Sequence, residues 1–223
     1  MPARAILSWS SGKDSAMALH RIRMTGELDV VCLLTTVTDR FHRVSMHGVR
    51  EQLLDLQAKS LGYPIEKVQI PYPCPNEIYE EKMRNALLPW KEEGVSDVIF
   101  GDLFLEDIRK YREEKLSQID MKPAFPLWHE NTETLAQEII RVGFRGLITC
   151  IDSRKLDAKF AGRQFDESFL ANLPAGIDPC GENGEFHTFV YAGPIFKEPI
   201  PVVVGEHVFR DGFQFADVLP ERG

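Results

Sequence analysis

The densest chemistry in this 223-residue chain lies near its start, where Ala5-Ile6-Leu7 runs into Ser8-Trp9-Ser10-Ser11-Gly12-Lys13-Asp14-Ser15. A short apolar strand feeding a small, hydroxyl-rich turn that opens a helix is a place to hold phosphate. Backbone N–H groups of the Gly12 turn, the hydroxyls of Ser10, Ser11 and Ser15, and the Lys13 ammonium converge there, with a helix N-terminus behind them. The spacing departs from the Walker A pattern, which needs four residues between its glycines and then Lys-Ser/Thr. Asp14, set among donors, is read as orienting the loop or reaching Mg²⁺. As a loop residue, Lys13 is expected to be exposed and to contribute little to stability. A capped helix start is the competing reading of the same residues.

A second constellation spans 176–196, where glycines surround Glu182, Glu185, His187 and Thr188. Glycines let backbone approach a ligand, and Glu/His pairs bind an ammonium or move protons near neutral pH. An ordinary loop entering a strand, with Phe186 and Phe189 packing, satisfies the same sequence. His47, isolated before a helix, is a weaker candidate.

The elements that must position these residues follow from period and punctuation. Strands are predicted at 4–9, 29–36, 65–70, 97–100 and 146–151, as apolar runs of the kind a parallel sheet buries on both faces. Helices are predicted at 13–24, 49–61, 76–93, 105–117, 132–142 and 157–173, the second ended by Gly62 and Pro64. Two more strand-like runs lie at 201–204 and 213–216. The alternation predicts an α/β fold, a doubly wound parallel five-stranded sheet of Rossmann type with a small C-terminal lobe. The expected division is a nucleotide-binding domain over 1–152 and a lobe over 153–223 closing on it. Ligands on such a sheet sit beyond the carboxyl ends of the strands. Ser10–Ser15, Thr35–Thr38, Gly101-Asp102 and Asp152 are thereby placed around one crevice. Asp102 and Glu106 are read as facing an acceptor or a metal, with a helix cap as the alternative for Asp102.

Composition narrows the partners. A net charge of −8 argues against an extended nucleic-acid footprint and favours small anions. Cys32, Cys74, Cys150 and Cys180 form no Cys-x-x-Cys pair, so neither a zinc ribbon nor a redox dithiol is indicated, and a reducing cytoplasmic setting fits. Cys180 is read as a small packed thiol. No apolar run of about 18 residues is present to span a membrane. A homo-oligomer is compatible with the chain.

The Ser-x-Gly-Lys-Asp-Ser string resembles the PP-loop of the ATP pyrophosphatases, usually Ser-Gly-Gly-x-Asp-Ser, with Ser11 where the first glycine would stand. Its pairing with Glu182-Asn183-Gly184-Glu185-Phe186-His187-Thr188 is similar to one branch, the diphthine–ammonia ligases. Gly101-Asp102, Leu105-Glu106-Asp107-Ile108-Arg109 and His47-Gly48-Val49-Arg50 extend the likeness over most of the chain. Asn183 holds a position usually given to glycine. The resemblance implies ATP and Mg²⁺, with backbone contacts from Thr35 and Thr36 to adenine; Ser10, Ser11, Gly12, Lys13 and Ser15, read above as the phosphate loop, and Gly101 and Asp102 complete the expected nucleotide-binding set. It implies Lys13, Asp14, Glu182, Glu185 and His187 as catalytic residues. The reaction implied is amide formation from ammonia and a carboxylate through an acyl-adenylate, releasing AMP and pyrophosphate; for the diphthine ligases the acceptor is a modified histidine on elongation factor 2. A PP-loop amidoligase for a small carboxylic acid, a PP-loop enzyme modifying tRNA, and a non-catalytic nucleotide sensor are the rivals.

Overall fold

A computed structural model describes residues 1–221. Its first sheet runs β1 (Ala3–Ser8), β2 (Leu28–Thr38), β4 (Ile65–Ile70), β5 (Asp97–Ile99) and β6 (Lys122–Ala124), all parallel, in spatial order β4-β2-β1-β5-β6. A two-residue strand, β3 (Arg43–Val44), pairs antiparallel with the far end of β2. The chain winds outward from β1 to β4 on one side and then to β5 and β6 on the other. The order therefore reverses between β1 and β5, and the turn after β1 opens at that switch point.

Alternate residues of β1 serve opposite faces, which is why the strand reads as an unbroken apolar run. Ala5 and Leu7 join α1 (Lys13–Thr25) and α2 (Glu51–Leu61) in one core, while Ile6 joins Leu34, Val98 and Phe100 beneath α3 (Asn76–Glu92) and α4 (Glu106–Ser117). Helices on both faces make the sheet doubly wound, as the alternation predicts. α1 and α2 end at Gly26 (φ 65°) and Gly62 (φ 80°), each donating back to the last turn.

The second sheet revises the predicted strand five. β7 (Arg145–Asp152) lies in a four-stranded antiparallel sheet of order β8-β7-β10-β9, with β8 (Phe186–Ala192), β9 (Val202–Arg210) and β10 (Phe213–Pro220). The fifth parallel strand is instead the short β6, whose Pro123 is tolerated because β6 is an edge. β7 is buried from Gly146 to Asp152, but an inner strand of a covered antiparallel sheet produces the same apolar run. The break between sheets thus precedes β7 rather than following residue 152. The predicted helix over 157–173 reduces to a 3₁₀ turn, Ala158–Phe160, and a five-residue helix, α6 (Glu167–Ala171), while α5 (Thr132–Arg141) forms as expected. The core of the α1/α2 face continues into the second sheet through Leu147, Phe165, Phe169, Phe186 and Phe189. No helix among the described residues is long and apolar enough to cross a membrane.

Candidate active site

The loop after β1 is held from behind by β8. Gly12 caps α1 with no side-chain bond, which removes the reading of an ordinary Ser- or Asp-capped helix. The first N–H of the helix, on Lys13, instead donates to Thr188 Oγ1 at 3.0 Å, so a strand of the second sheet caps the first helix. Gln57 ties the same parts together: its amide donates to the Ser11 carbonyl (3.1 Å) and the Val190 carbonyl (2.6 Å), and its Oε1 accepts from the buried Trp9 indole (2.9 Å). Val190 N also donates to the Ser11 carbonyl at 2.9 Å. A Cβ on Gly12 would stand 3.1 Å from Thr188 and 3.2 Å from the His47 ring. One on Gly101 would stand 2.8 Å from the Asp14 carbonyl carbon, so that turn packs on bare backbone.

Ser11 sits at φ 71°, the left-handed region, which explains why glycine is usual there. Its hydroxyl is buried with no partner among the described residues. Ser10 and Ser15 share a hydrogen bond (3.1 Å), and Ser15 also donates to the Gly12 carbonyl (3.0 Å).

Lys13 is not the exposed lysine expected from the sequence. It is 3% exposed; its ammonium donates to both Asp14 oxygens at 2.8 Å and to the Cys180 carbonyl, and lies 5.7 and 5.6 Å from the Phe165 and Phe186 ring centres. Burial alone would pull its pKa down, but Asp14 and the charges around Cys180 and Glu182 more than compensate, and the net direction is up. The ammonium stays protonated.

Two adjoining cavities open in front of the loop. One, of about 350 Å³, is lined by Ser8, Ser10, Thr35, Thr36, Ser45, Tyr79 and Met83; the Thr35 hydroxyl is buried and unpartnered. The other, of about 570 Å³, is lined by Lys13, Asp14, Ser15, Gly101, Asp102 and Glu182, among others. Ser8, Ser10, Met46, His47, Arg112 and His187 line both. The unpartnered Thr35 hydroxyl and the size of the cavities fit a nucleotide with its phosphates on the loop, whereas Ser11 lines neither cavity. Among the described residues no three metal-ligating side chains gather. Asp14, 28% exposed, is the carboxylate of the loop that faces the cavity, which suits Mg²⁺ carried on phosphates with one or two protein carboxylates.

The remaining predicted residues divide. Glu182 lines the cavity, its Oε1 accepting from Leu103 N (2.8 Å). Burial pushes its carboxyl up to about 7, against that hydrogen bond and with help from the Asp14 charge. Glu185 turns away from the cavity: Oε1 accepts from Asp178 N (3.3 Å) and Asn183 Nδ2 (3.2 Å), and Oε2 is buried without a partner among the described residues. Asp102 neither caps α4 nor offers a free carboxylate, because Arg112 holds both its oxygens at 2.6 and 3.1 Å. Glu106 is 57% exposed on the first turn of α4, outside both cavities. The Cys180 thiol donates to the Thr132 carbonyl (3.3 Å) and burial pushes it up to about 12, as befits a packed thiol. No motif singles out Arg112, Gln57 or Met46, and helical period gives Tyr79 and Met83 only as residues of α3.

His47 and His187 stack with ring centres 4.5 Å apart, His47 Nδ1 lying 3.3 Å from the Thr188 carbonyl. Burial pushes His47 down to about 4, aided by the Lys13 charge and opposed by Thr188; burial, then His47 and Lys13, hold His187 well below its ordinary value. The unfolded chain protonates these rings near pH 6.5, the folded one only well below it. Both therefore withdraw stability as pH falls from about 6.5 toward 4, while the raised Glu182 acts in the opposite sense. His47→Gln is expected to shrink the drop in urea midpoint between pH 7 and pH 5; an unchanged drop would show that His47 titrates normally in the folded protein.

Two family models cover nearly the whole chain: a diphthamide synthase N-terminal domain over residues 3–123 and a diphthamide synthase C-terminal domain over 131–218. The chain belongs to the diphthamide synthase family. As a member it is an enzyme of the ATP-dependent ligase class. Curated relatives named diphthine–ammonia ligase, from Homo sapiens and Rattus norvegicus, are 26% identical over 94% of this chain and 86% of their own; that from Danio rerio is 25% identical over 94% and 90%. A solved Methanocaldococcus jannaschii chain described as a "predicted subunit of tRNA methyltransferase" aligns at 15% identity and a TM-score of 0.40, over 70% of this chain and 80% of that one. At that distance it assigns nothing further. Of the two departures noted in the sequence, Ser11 from the usual PP-loop pattern carries left-handed strain. Asn183 carries none, because the positive φ values of its loop fall on Gly181 (69°) and Gly184 (78°).

Proposed function

We propose that this diphthamide synthase family member joins ammonia to a carboxylate through an acyl-adenylate, releasing AMP and pyrophosphate, with diphthine on elongation factor 2 as the acceptor. One observation carries the reading: the phosphate loop and the segment from Glu182 to His187 face one cavity, and β8 is stitched to that loop by Thr188 and Gln57. Activation and amidation require both halves at a single reacting carbon.

In the first step the acceptor carboxylate attacks the α-phosphorus and pyrophosphate departs as the leaving group. Lys13 and the hydroxyls of Ser10 and Ser15, which line that cavity, receive the charge that builds on it; one such donor is worth about 3 kcal/mol in a water-poor site. Asp14 would hold the Mg²⁺ on the phosphates. Thr35 and Thr36, in the smaller cavity, take the nucleoside. In the second step ammonia attacks the activated carbonyl, AMP leaves, and the proton shed by nitrogen passes to Glu182, whose pKa of about 7 suits that task at neutral pH. Glu185 supports the turn that carries Glu182. The second sheet, from β7 onward, is the acceptor side of the crevice. A sulfur-transfer role in tRNA modification finds no support in Cys180, buried and held protonated.

Incubation with ATP labelled at the α-phosphate, ammonium and diphthine-bearing elongation factor 2 should yield AMP and pyrophosphate in amounts equal to the amide formed. ADP with orthophosphate as first products would remove the adenylate mechanism. AMP formation with a small carboxylic acid and none with the elongation factor would keep the chemistry and replace the acceptor.

A further inference from the structure

We propose that Arg112 is the residue that binds the α-phosphate of the nucleotide, gripping the phosphate nearest the nucleoside where the two cavities meet; this rests on the nucleotide reading of the crevice given above.

The placement comes first. Arg112 projects from α4 and lines both the nucleoside cavity, beside Thr35 and Tyr79, and the loop cavity, beside Lys13 and Glu182. A nucleotide that fills the first and lays its terminal phosphates on the loop of the second must pass its α-phosphate through the shared wall. The guanidinium is fixed there. Nε and Nη2 donate to the two Asp102 oxygens at 2.6 and 3.1 Å, and the guanidinium carbon lies 4.0 Å from the centre of the Phe100 ring. Among the described residues, Nη1 makes no hydrogen bond in the protein, and the side chain is 24% exposed. A planar fork held by a carboxylate along one edge and an aromatic ring on one face keeps its other edge ready for an anion, with little rotamer freedom left to lose.

Charge points the same way. The loop cavity presents three carboxylates, Asp14, Asp102 and Glu182, so a polyphosphate entering it meets repulsion unless cations answer. Among the described residues, the permanently cationic side chains lining the two cavities are Lys13 and Arg112. Lys13 is turned onto Asp14 and the Cys180 carbonyl, and the two histidines are held neutral by burial. Arg112, whose single carboxylate partner leaves donors free, is the cation an incoming phosphate reaches first. The arrangement also accounts for Asp102, which orients Arg112 rather than meeting acceptor or metal.

The α-phosphate is the group shared by ATP, the acyl-adenylate and AMP, so the test uses AMP against adenosine. Calorimetric titration of the intact protein should show AMP affinity falling about 10- to 100-fold in Arg112→Gln, the range for a lost charge-assisted pair, while adenosine affinity stays within about twofold. Arg112→Lys keeps the charge but not the fork, and should fall between Arg112→Gln and wild type. It also carries the test should the glutamine variant fail to fold, a point checked by its thermal melt. Unchanged AMP affinity overturns the assignment. So does an equal loss for AMP and adenosine, which makes Arg112 a prop of the pocket wall. Should the wild-type protein bind neither compound, the nucleotide reading itself falls, and Arg112 with it.

Discussion

Lys13→Ala is expected to abolish pyrophosphate release and, contrary to what a loop position implies, to destabilise the protein. The ammonium is 3% exposed and is the partner of Asp14 and of the Cys180 carbonyl, so its removal strands a carboxylate inside the fold. Breaking a buried pair from one side costs about 3–5 kcal/mol, and because Asp14 is 28% exposed we take the low end, about 3 kcal/mol. For a chain of this size that corresponds to a melting temperature lower by about 6–12 °C. Turnover should fall by at least about a hundredfold, the effect of losing one preorganised donor to a developing anion. Lys13→Ala with Asp14→Asn removes both charges, and should recover much of the melting temperature and none of the turnover. Full ATP cleavage by Lys13→Ala would remove the loop from the chemistry; an unchanged melting temperature would mean that Lys13 swings free in solution.

That contrast shows what local sequence carries and what it omits. The strand, turn and helix around Ser8–Ser15 were legible because each is fixed by neighbours within a few residues: an apolar run, a glycine, and a periodic face on α1. The buried state of Lys13 was not, because it depends on Cys180 and Phe186, more than 160 positions away. The same holds for Gln57 and Thr188, a polar residue in a helix and another in a strand until the fold lays β8 behind the loop. The parallel sheet was legible in four strands. The fifth was missed because three residues with a central proline look like a loop, and because the two-sided burial of β7 gives the same composition in an antiparallel sheet. Asp102 was rightly placed at the crevice, since it ends a predicted strand. Its partner ten residues on in α4 follows no helical or strand period. Glu182 and Glu185 are indistinguishable as letters; the left-handed turns at Gly181 and Gly184 send them to different sides.

That division between two glutamates sets the second large effect. Glu182 lines the cavity with a pKa of about 7, and Glu185 is folded beneath the turn against Asp178 and Asn183. Glu182→Gln retains an oxygen to accept from Leu103 N, so the loop should hold its shape and the dissociation constant for ATP should not move. Amide formation should slow by about 10²–10⁴-fold, the usual contribution of a positioned proton acceptor. Acidity supplies the signature. In the wild type the ammonia-dependent step should rise with pH through about 7, as Glu182 gives up its proton and becomes able to take one from nitrogen. Ammonium in solution also loses its proton as pH climbs, so the diagnostic is the ratio of wild-type to variant rates at one ammonia concentration. That ratio should grow up to about pH 7 and then level. Glu185→Gln, whose side chain lies outside the cavity, should keep the wild-type pH profile and lose mainly stability. If Glu185→Gln instead removes the limb near pH 7 while Glu182→Gln leaves it in place, the proton goes to the other carboxylate and the turn must rearrange when substrate binds.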